Sequence, residues 1–120
     1  MEFITGGRSQ GKLQFALERH GLTAADAADG VLEPKPVVYN LQEYIKKALA
    51  EKRDPEKEIL AFSRERHGTV FICDQLGCGV VPADPEERLW RDVTGRICCL
   101  LAAEADSVFR VICGIGQKIK

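Results

Sequence analysis

Phe3-Ile4-Thr5-Gly6-Gly7-Arg8-Ser9-Gln10-Gly11-Lys12-Leu13 decides the reading of this chain. A short apolar run breaks into glycines, and Leu13, Ala16, Leu17 and His20 then recur on one helical stripe. The order is strand, glycine loop, helix. Gly6 to Lys12 meets the GxxxxGK spacing of a phosphate-binding loop in the context that motif requires. Glycines let successive backbone N–H groups turn inward, and a helix N-terminus adds about half a positive charge, so the turn suits a polyanion. Lys12 would reach the terminal phosphates. Leu13 stands where Ser or Thr normally offers a hydroxyl to magnesium. The plainer reading is a glycine turn joining strand to helix, with Leu13 as core.

Outward from this loop, short β-type runs alternate with helix-period segments, the pattern of an α/β domain with a mainly parallel sheet of four or five strands. The 120 residues are the length of one domain, and residues 1–120 are read as such. The stretch 23–36 reads as a connector, with Val31-Leu32 as the place for a short strand. Val37-Val38-Tyr39 is the next strand, and Asn40 with Glu43 has capping-box spacing for a helix carrying Leu41, Tyr44, Ile45, Ala48 and Leu49 on one face. Asp54-Pro55 opens a second helix running to about Arg66. Val70-Phe71-Ile72-Cys73 is a buried strand ending at Asp74. Asp84-Pro85-Glu86-Glu87 starts a long helix with an apolar stripe through Leu89, Val93, Ile97, Leu100 and Leu101. Val108 to Cys113 is the last strand, and a basic tail follows.

Composition narrows the function classes. The chain is 45% hydrophobic and 29% charged, with 17 basic against 18 acidic residues, which excludes disorder and gives no support to a nucleic-acid partner. No apolar run is long enough to span a bilayer and the first residues lack a signal-peptide pattern, so the expectation is a cytoplasmic protein. The five cysteines, Cys73, Cys78, Cys98, Cys99 and Cys113, contain no CxxC pair and read as reduced thiols packed mostly as small apolar side chains.

Chemistry gathers at few positions. Lys12 is a candidate catalytic residue, with Gly6, Gly7, Arg8, Ser9, Gln10, Gly11, Lys12 and Leu13 as the nucleotide-binding loop. Asp74, an acid at the carboxyl end of a buried strand, is placed to support magnesium beside such a loop, or to cap the following turn. Arg88, Arg91 and Arg96 read either as phosphate or subunit contacts or as solvated charges on an amphipathic helix. His20 and His67, both beside glycine, read as helix C-terminal caps, and Trp90 and Phe109 as core or interface aromatics.

Taken together, the opening strand and loop Phe3–Ser9, the loop Gly77-Cys78-Gly79-Val80-Val81-Pro82, Arg91-Asp92, Gly95-Arg96, Leu101-Ala102, Ala105-Asp106-Ser107-Val108 and Gly114-Ile115 resemble, in order, the adenosylcobinamide kinase/adenosylcobinamide-phosphate guanylyltransferase family. The resemblance implies a P-loop NTPase-like three-layer α/β fold and a homo-oligomer, a trimer. It also implies two magnesium-dependent reactions: phosphorylation of the aminopropanol hydroxyl of adenosylcobinamide from GTP or ATP, and GMP transfer through a guanylylated histidine. On that footing Lys12 and Asp74 carry catalysis with magnesium on Asp74, and Gly77, Gly79, Arg91 and Arg96 border the corrinoid.

The chain departs from the family between the first helix and the central strand, where it is shorter and where no histidine occurs from Gly21 to Arg66. Asp74-Gln75 replaces an Asn-Glu pair, Cys98-Cys99 replaces Asn-Gln, and Asn40 lies near where the family has an acid. The expectation is a nucleotide-binding enzyme in which the kinase step survives. The competing readings are a catalytically degenerate nucleotide- or corrinoid-binding protein of the same fold, and a different small-molecule kinase on this scaffold.

Overall fold

A computed structural model describes residues 1–76 and 83–120 of the chain. The elements are β1 (Glu2–Gly6), α1 (Lys12–His20), β2 (Ala27–Asp29), β3 (Val37–Tyr39), α2 (Leu41–Ala50), α3 (Pro55–Glu65), β4 (Val70–Asp74), α4 (Pro85–Glu104), β5 (Ser107–Ile112) and β6 (Ile115–Lys118). They form one six-stranded sheet in the order β2-β3-β4-β1-β5-β6. All neighbours are parallel except β5 and β6.

Continuous apolar runs make these strands because both faces of the sheet are covered. Alternate residues divide cleanly. Phe3, Val38, Phe71, Cys73 and Val108 pack beneath α2, α3 and α4, while Ile4, Val37, Val70, Ile72, Phe109 and Val111 pack beneath α1. The result is the three-layer α/β sandwich expected from the pattern. Among the described residues, no helix is long and apolar enough to cross a membrane.

Strand β1 is central, flanked by β4 on one side and β5 on the other. The chain order reverses there, and ligands in such sheets bind at the carboxyl ends beside that reversal. Register places Gly6 opposite Asp74, so the glycine loop and the acid leave the sheet side by side.

Four expectations are corrected. The strand in the connector is Ala27–Asp29, not Val31-Leu32: Ala27 and Ala28 pair with Val37 and Val38, and Gly30 at φ 67° turns the chain away before Val31. The sheet has six strands rather than four or five. Its sixth replaces the expected tail, because Cys113 (φ 51°) and Gly114 (φ 77°) form a tight turn of the hand that hairpins favour and return Ile115–Lys118 along β5. Asn40 makes no capping box either. It sits in the left-handed region with no side-chain cap bond, its amide donating instead to Asp29 Oδ1 at 2.7 Å. Asp54 and Asp84 do cap α3 and α4, accepting from the backbone N–H groups of Lys57 and Glu86.

Candidate functional site

The β1–α1 loop begins with backbone that only glycine adopts readily. Gly6 has φ 155°, and a Cβ there would lie 2.5 Å from the Val111 carbonyl oxygen. Gly11 is the N-cap of α1 at φ 84°, and the first turn of that helix carries no acid and no side-chain cap. Among the described residues, no carbonyl or side-chain oxygen accepts from the N–H groups of Gly7 to Gly11. A helix start with open donors and no acid of its own has the electrostatics that an anion would match.

The outer edge of the loop is pinned by the β5–β6 turn. Gly114 N–H donates to the Gln10 carbonyl at 2.8 Å, and Cys113 N–H donates to Gln10 Oε1 at 2.8 Å. Both bonds use acceptors of Gln10 and leave the N–H groups of Gly7 to Gly11 without an acceptor.

Lys12 opens α1 and is 6% exposed. Its ammonium donates to the Gly7 carbonyl at 2.6 Å and pairs with Asp74 Oδ1 at 2.7 Å. An ammonium has three N–H donors. Two are taken here, and the third has no partner among the described residues. Asp74 is itself positioned by Gln42, whose Oε1 accepts from the Asp74 N–H at 3.0 Å. Gln42 Nε2 donates to Asn40 Oδ1 at 3.2 Å, and Trp90 Nε1 donates to the Gln42 carbonyl at 2.7 Å. A chain of hydrogen bonds thus runs from β2 through α2 to the acid beside the loop.

These groups line a cleft of about 630 Å³ whose floor is the glycine loop and the start of α1, with Tyr39, Asn40, Lys46 and Trp90 on the far wall. Lys46 lies 4.6 Å from the Trp90 ring, so one wall presents an aromatic face and a cation. A second cavity of about 420 Å³ lies between β1, the end of β4 and α4. Asp74 lines both.

The structure brings together Arg8, Ser9, Gln10, Gly11, Lys12, Leu13 and Asp74 around the first cleft and places Arg91 at the second. Arg96 points elsewhere, to Glu56 on α3 at 3.2 Å. Gly77 and Gly79 lie outside the described residues. Leu13 packs toward the α1 core layer while bordering the cleft. His20 does not cap its helix: Nε2 meets Glu2 Oε2 at 2.7 Å, and Gly21 in the left-handed region closes α1. Glu2 also accepts from Arg19 and Ser107. Burial pushes the Glu2 carboxyl up, but these donors outweigh it and hold it below the usual carboxylate range. That cluster sits at the amino end of β1, away from the cleft, and His67 precedes β4 at the same end of the sheet.

Cys98 is half-buried against the β4 layer, and its thiol together with burial pushes the Cys73 thiol up. Sequence reasoning missed Gln42, Tyr39, Lys46 and the cleft role of Trp90. Gln42 is 3% exposed although its place in the helical pattern reads as polar surface. The signal available was its position two residues past Asn40, at a helix start beside a strand's carboxyl end.

Comparison with known proteins adds a family. The sequence model described as cobinamide kinase / cobinamide phosphate guanyltransferase matches residues 36–119, from the start of β3 through β6. The bifunctional adenosylcobalamin biosynthesis protein CobU of Salmonella typhimurium is 41% identical over 69 residues, which cover 56% of this chain and 38% of that protein. Its namesake in Escherichia coli K12 is 43% identical over 51 residues, covering 42% of this chain and 28% of that protein. The matched segments therefore span well under half the length of either relative.

Proposed function

This chain belongs to the cobinamide kinase / cobinamide phosphate guanyltransferase family, and from that premise we propose that it binds GTP or ATP in the β1–α1 cleft. In this reading the terminal phosphoryl group passes to the hydroxyl of a corrinoid of the adenosylcobinamide type. The observation that carries it is the loop itself: amides without acceptors at a helix start, beside a buried lysine with one donor to spare.

The acceptor oxygen attacks the γ-phosphorus, the bond from that phosphorus to the β-phosphate oxygen breaks, the nucleoside diphosphate leaves with the electron pair, and the hydroxyl proton is released to water. Phosphoryl transfer asks the protein mostly for position and charge neutralisation. The loop amides hold the phosphates, Lys12 neutralises their terminal oxygens, and Gln42 fixes Asp74. Asp74 fits magnesium as the single carboxylate of a site completed by phosphate and water oxygens, since its side chain is 17% exposed and only one of its oxygens meets Lys12. Bound there, magnesium would supply charge neutralisation to the phosphates.

Transfer of GMP through histidine is not part of this reading. His20 is held by Glu2, and neither histidine lines the cleft. The second reading, a binder without turnover, draws on Leu13, which borders the cleft with no hydroxyl to offer a metal. Residues 1–120 are proposed to act as one nucleotide-binding unit in a cytoplasmic homo-oligomer, as the family implies.

Calorimetry with GTP and ATP, with and without magnesium, tests the binding, and incubation of adenosylcobinamide with γ-labelled nucleotide tests the transfer. Label in the corrinoid supports the kinase reading, binding without label supports the binder, and no binding at millimolar nucleotide defeats both.

A further inference from the structure

Two thiols face each other between the sheet and its covering helix. Cys73, on β4, is 0% exposed, with its side chain in the layer that α2, α3 and α4 cover. Cys98, on α4, is half-buried and packs on that same layer. The two thiols share a hydrogen bond. Cys98 also lines the second cavity, together with Thr5, Asp74, Arg91 and Thr94. One sulfur is therefore reached from the cavity, and the other is sealed behind it.

Space-filling accounts for either cysteine alone, since a free cysteine packs as a small apolar residue. It does not account for an accessible thiol backed by a buried one from a different element. That is the arrangement of a thiol that takes up an oxidant beside a thiol that resolves the product. Cys99, the next residue on α4, is exposed, and Cys113 is exposed in the β5–β6 turn, so among the described residues neither takes part in this contact.

The position ties the pair to the cleft. Asp74 follows Cys73 directly, meets Lys12 at 2.7 Å and borders both cavities. A disulfide needs sulfurs about 2.05 Å apart and Cβ atoms about 3.8 Å apart, so hydrogen-bonded thiols must draw closer to form one. The end of β4 and the facing turn of α4 would then approach each other, and Asp74 is the next residue along the strand.

We propose that Cys73 and Cys98 are a redox pair that hydrogen peroxide converts to a reversible disulfide, clamping α4 to the carboxyl end of β4 and displacing Asp74 from Lys12. The Cys98 sulfur attacks one peroxide oxygen and the O–O bond breaks. The departing hydroxide takes the Cys98 proton and leaves as water, and Cys98 becomes a sulfenic acid. The Cys73 sulfur then attacks the Cys98 sulfur, the S–O bond breaks, and the hydroxyl leaves as water with the Cys73 proton. Two thiols are oxidised by two electrons in all, and one peroxide is reduced to two waters. No step needs nucleotide, so the pair stands or falls separately from the phosphoryl-transfer reading.

The test treats the full chain with hydrogen peroxide, blocks the remaining thiols in denaturant, and maps the peptides by fragmentation mass spectrometry before and after dithiothreitol. One link between Cys73 and Cys98, two hydrogens lighter than the dithiol and opened by dithiothreitol, is expected. It should be lost in Cys98→Ser, with Cys98→Ala in reserve if the serine variant does not fold. In the isotope-labelled parent, the side-chain resonances of Lys12 should move on oxidation and return on reduction; in Cys98→Ser they should stay in place. The proposal is overturned if Cys73 remains a free thiol after peroxide has consumed Cys98, or if either sulfur is found joined to Cys78, Cys99 or Cys113 instead. A Cys73–Cys98 link that leaves the Lys12 resonances unmoved would overturn it as well.

Discussion

Lys12→Met separates what the lysine does for the fold from what it does for a ligand. Methionine keeps a long apolar stem along α1 and deletes only the ammonium, whose partners are the Gly7 carbonyl at 2.6 Å and Asp74 Oδ1 at 2.7 Å. Loss of a charge-assisted bond to a terminal phosphate is worth about 1.5–3 kcal/mol, so nucleotide affinity should fall by roughly tenfold to a hundredfold. Stability should fall too, because Asp74 is left without its partner. A fully buried widowed charge costs about 3–5 kcal/mol, and the partial exposure of Asp74 reduces that to about 1–3 kcal/mol. Adding Asp74→Asn removes the stranded charge, so the double variant should regain most of the stability and none of the affinity. Denaturant titration gives the stability cycle and calorimetry with GTP and ATP gives the affinity. Unchanged affinity in Lys12→Met, or affinity that returns together with stability in the double variant, would refute the claim that the ammonium meets phosphate.

Three further outcomes follow from single contacts. Gly6→Ala forces a Cβ to within 2.5 Å of the Val111 carbonyl oxygen at φ 155°, and should lower stability by about 1–3 kcal/mol, read as an earlier denaturation midpoint. Gly95→Ala should raise thermal stability by up to about 1 kcal/mol, because open space receives the methyl group and the helix interior gains a better residue. Glu2→Gln should cost about 1–3 kcal/mol at neutral pH, since a buried acceptor of Arg19, His20 and Ser107 loses its charge. The folded carboxyl lies below its usual value, so its contribution is full above the unfolded value near 4.5 and fades as pH falls through the folded one. The gap between parent and variant in urea titrations should therefore close only in acid below that point.

The elements legible in the sequence were those whose signals are local. The glycine loop, the Val70–Cys73 run, and the Asp-Pro starts of α3 and α4 each state their own geometry, and all four stand where the pattern puts them. Ala27–Asp29 was hidden because two alanines and an acid have no strand propensity of their own; pairing with Val37 and Val38 makes them a strand. The sixth strand was hidden for a similar reason, since the Cys113-Gly114 turn that returns it shows its hand only in the dihedral angles. In the cleft, the nearness of Lys12 to Asp74 follows from the register of β1 on β4, and the sequence suggested it through two strand ends with chemistry attached. Gln42 was illegible: a glutamine on a helix looks solvated until the strand beside it supplies an N–H to accept. Asn40 had the spacing of a cap and the conformation of a turn, and its Oδ1, the atom a cap would use, accepts from Gln42 Nε2 instead.

The most direct test is magnetic resonance of the isotope-labelled chain titrated with magnesium GTP, and separately with magnesium ATP, following the backbone amides of Gly7, Arg8, Ser9, Gln10, Gly11 and Lys12. Saturable downfield movement of these amides together, with the Glu2 cluster at the far end of β1 unmoved, is the result expected of a loop that closes on phosphate. Saturation of the protein with nucleotide while those amides stay in place, or no movement anywhere at millimolar nucleotide, would contradict it.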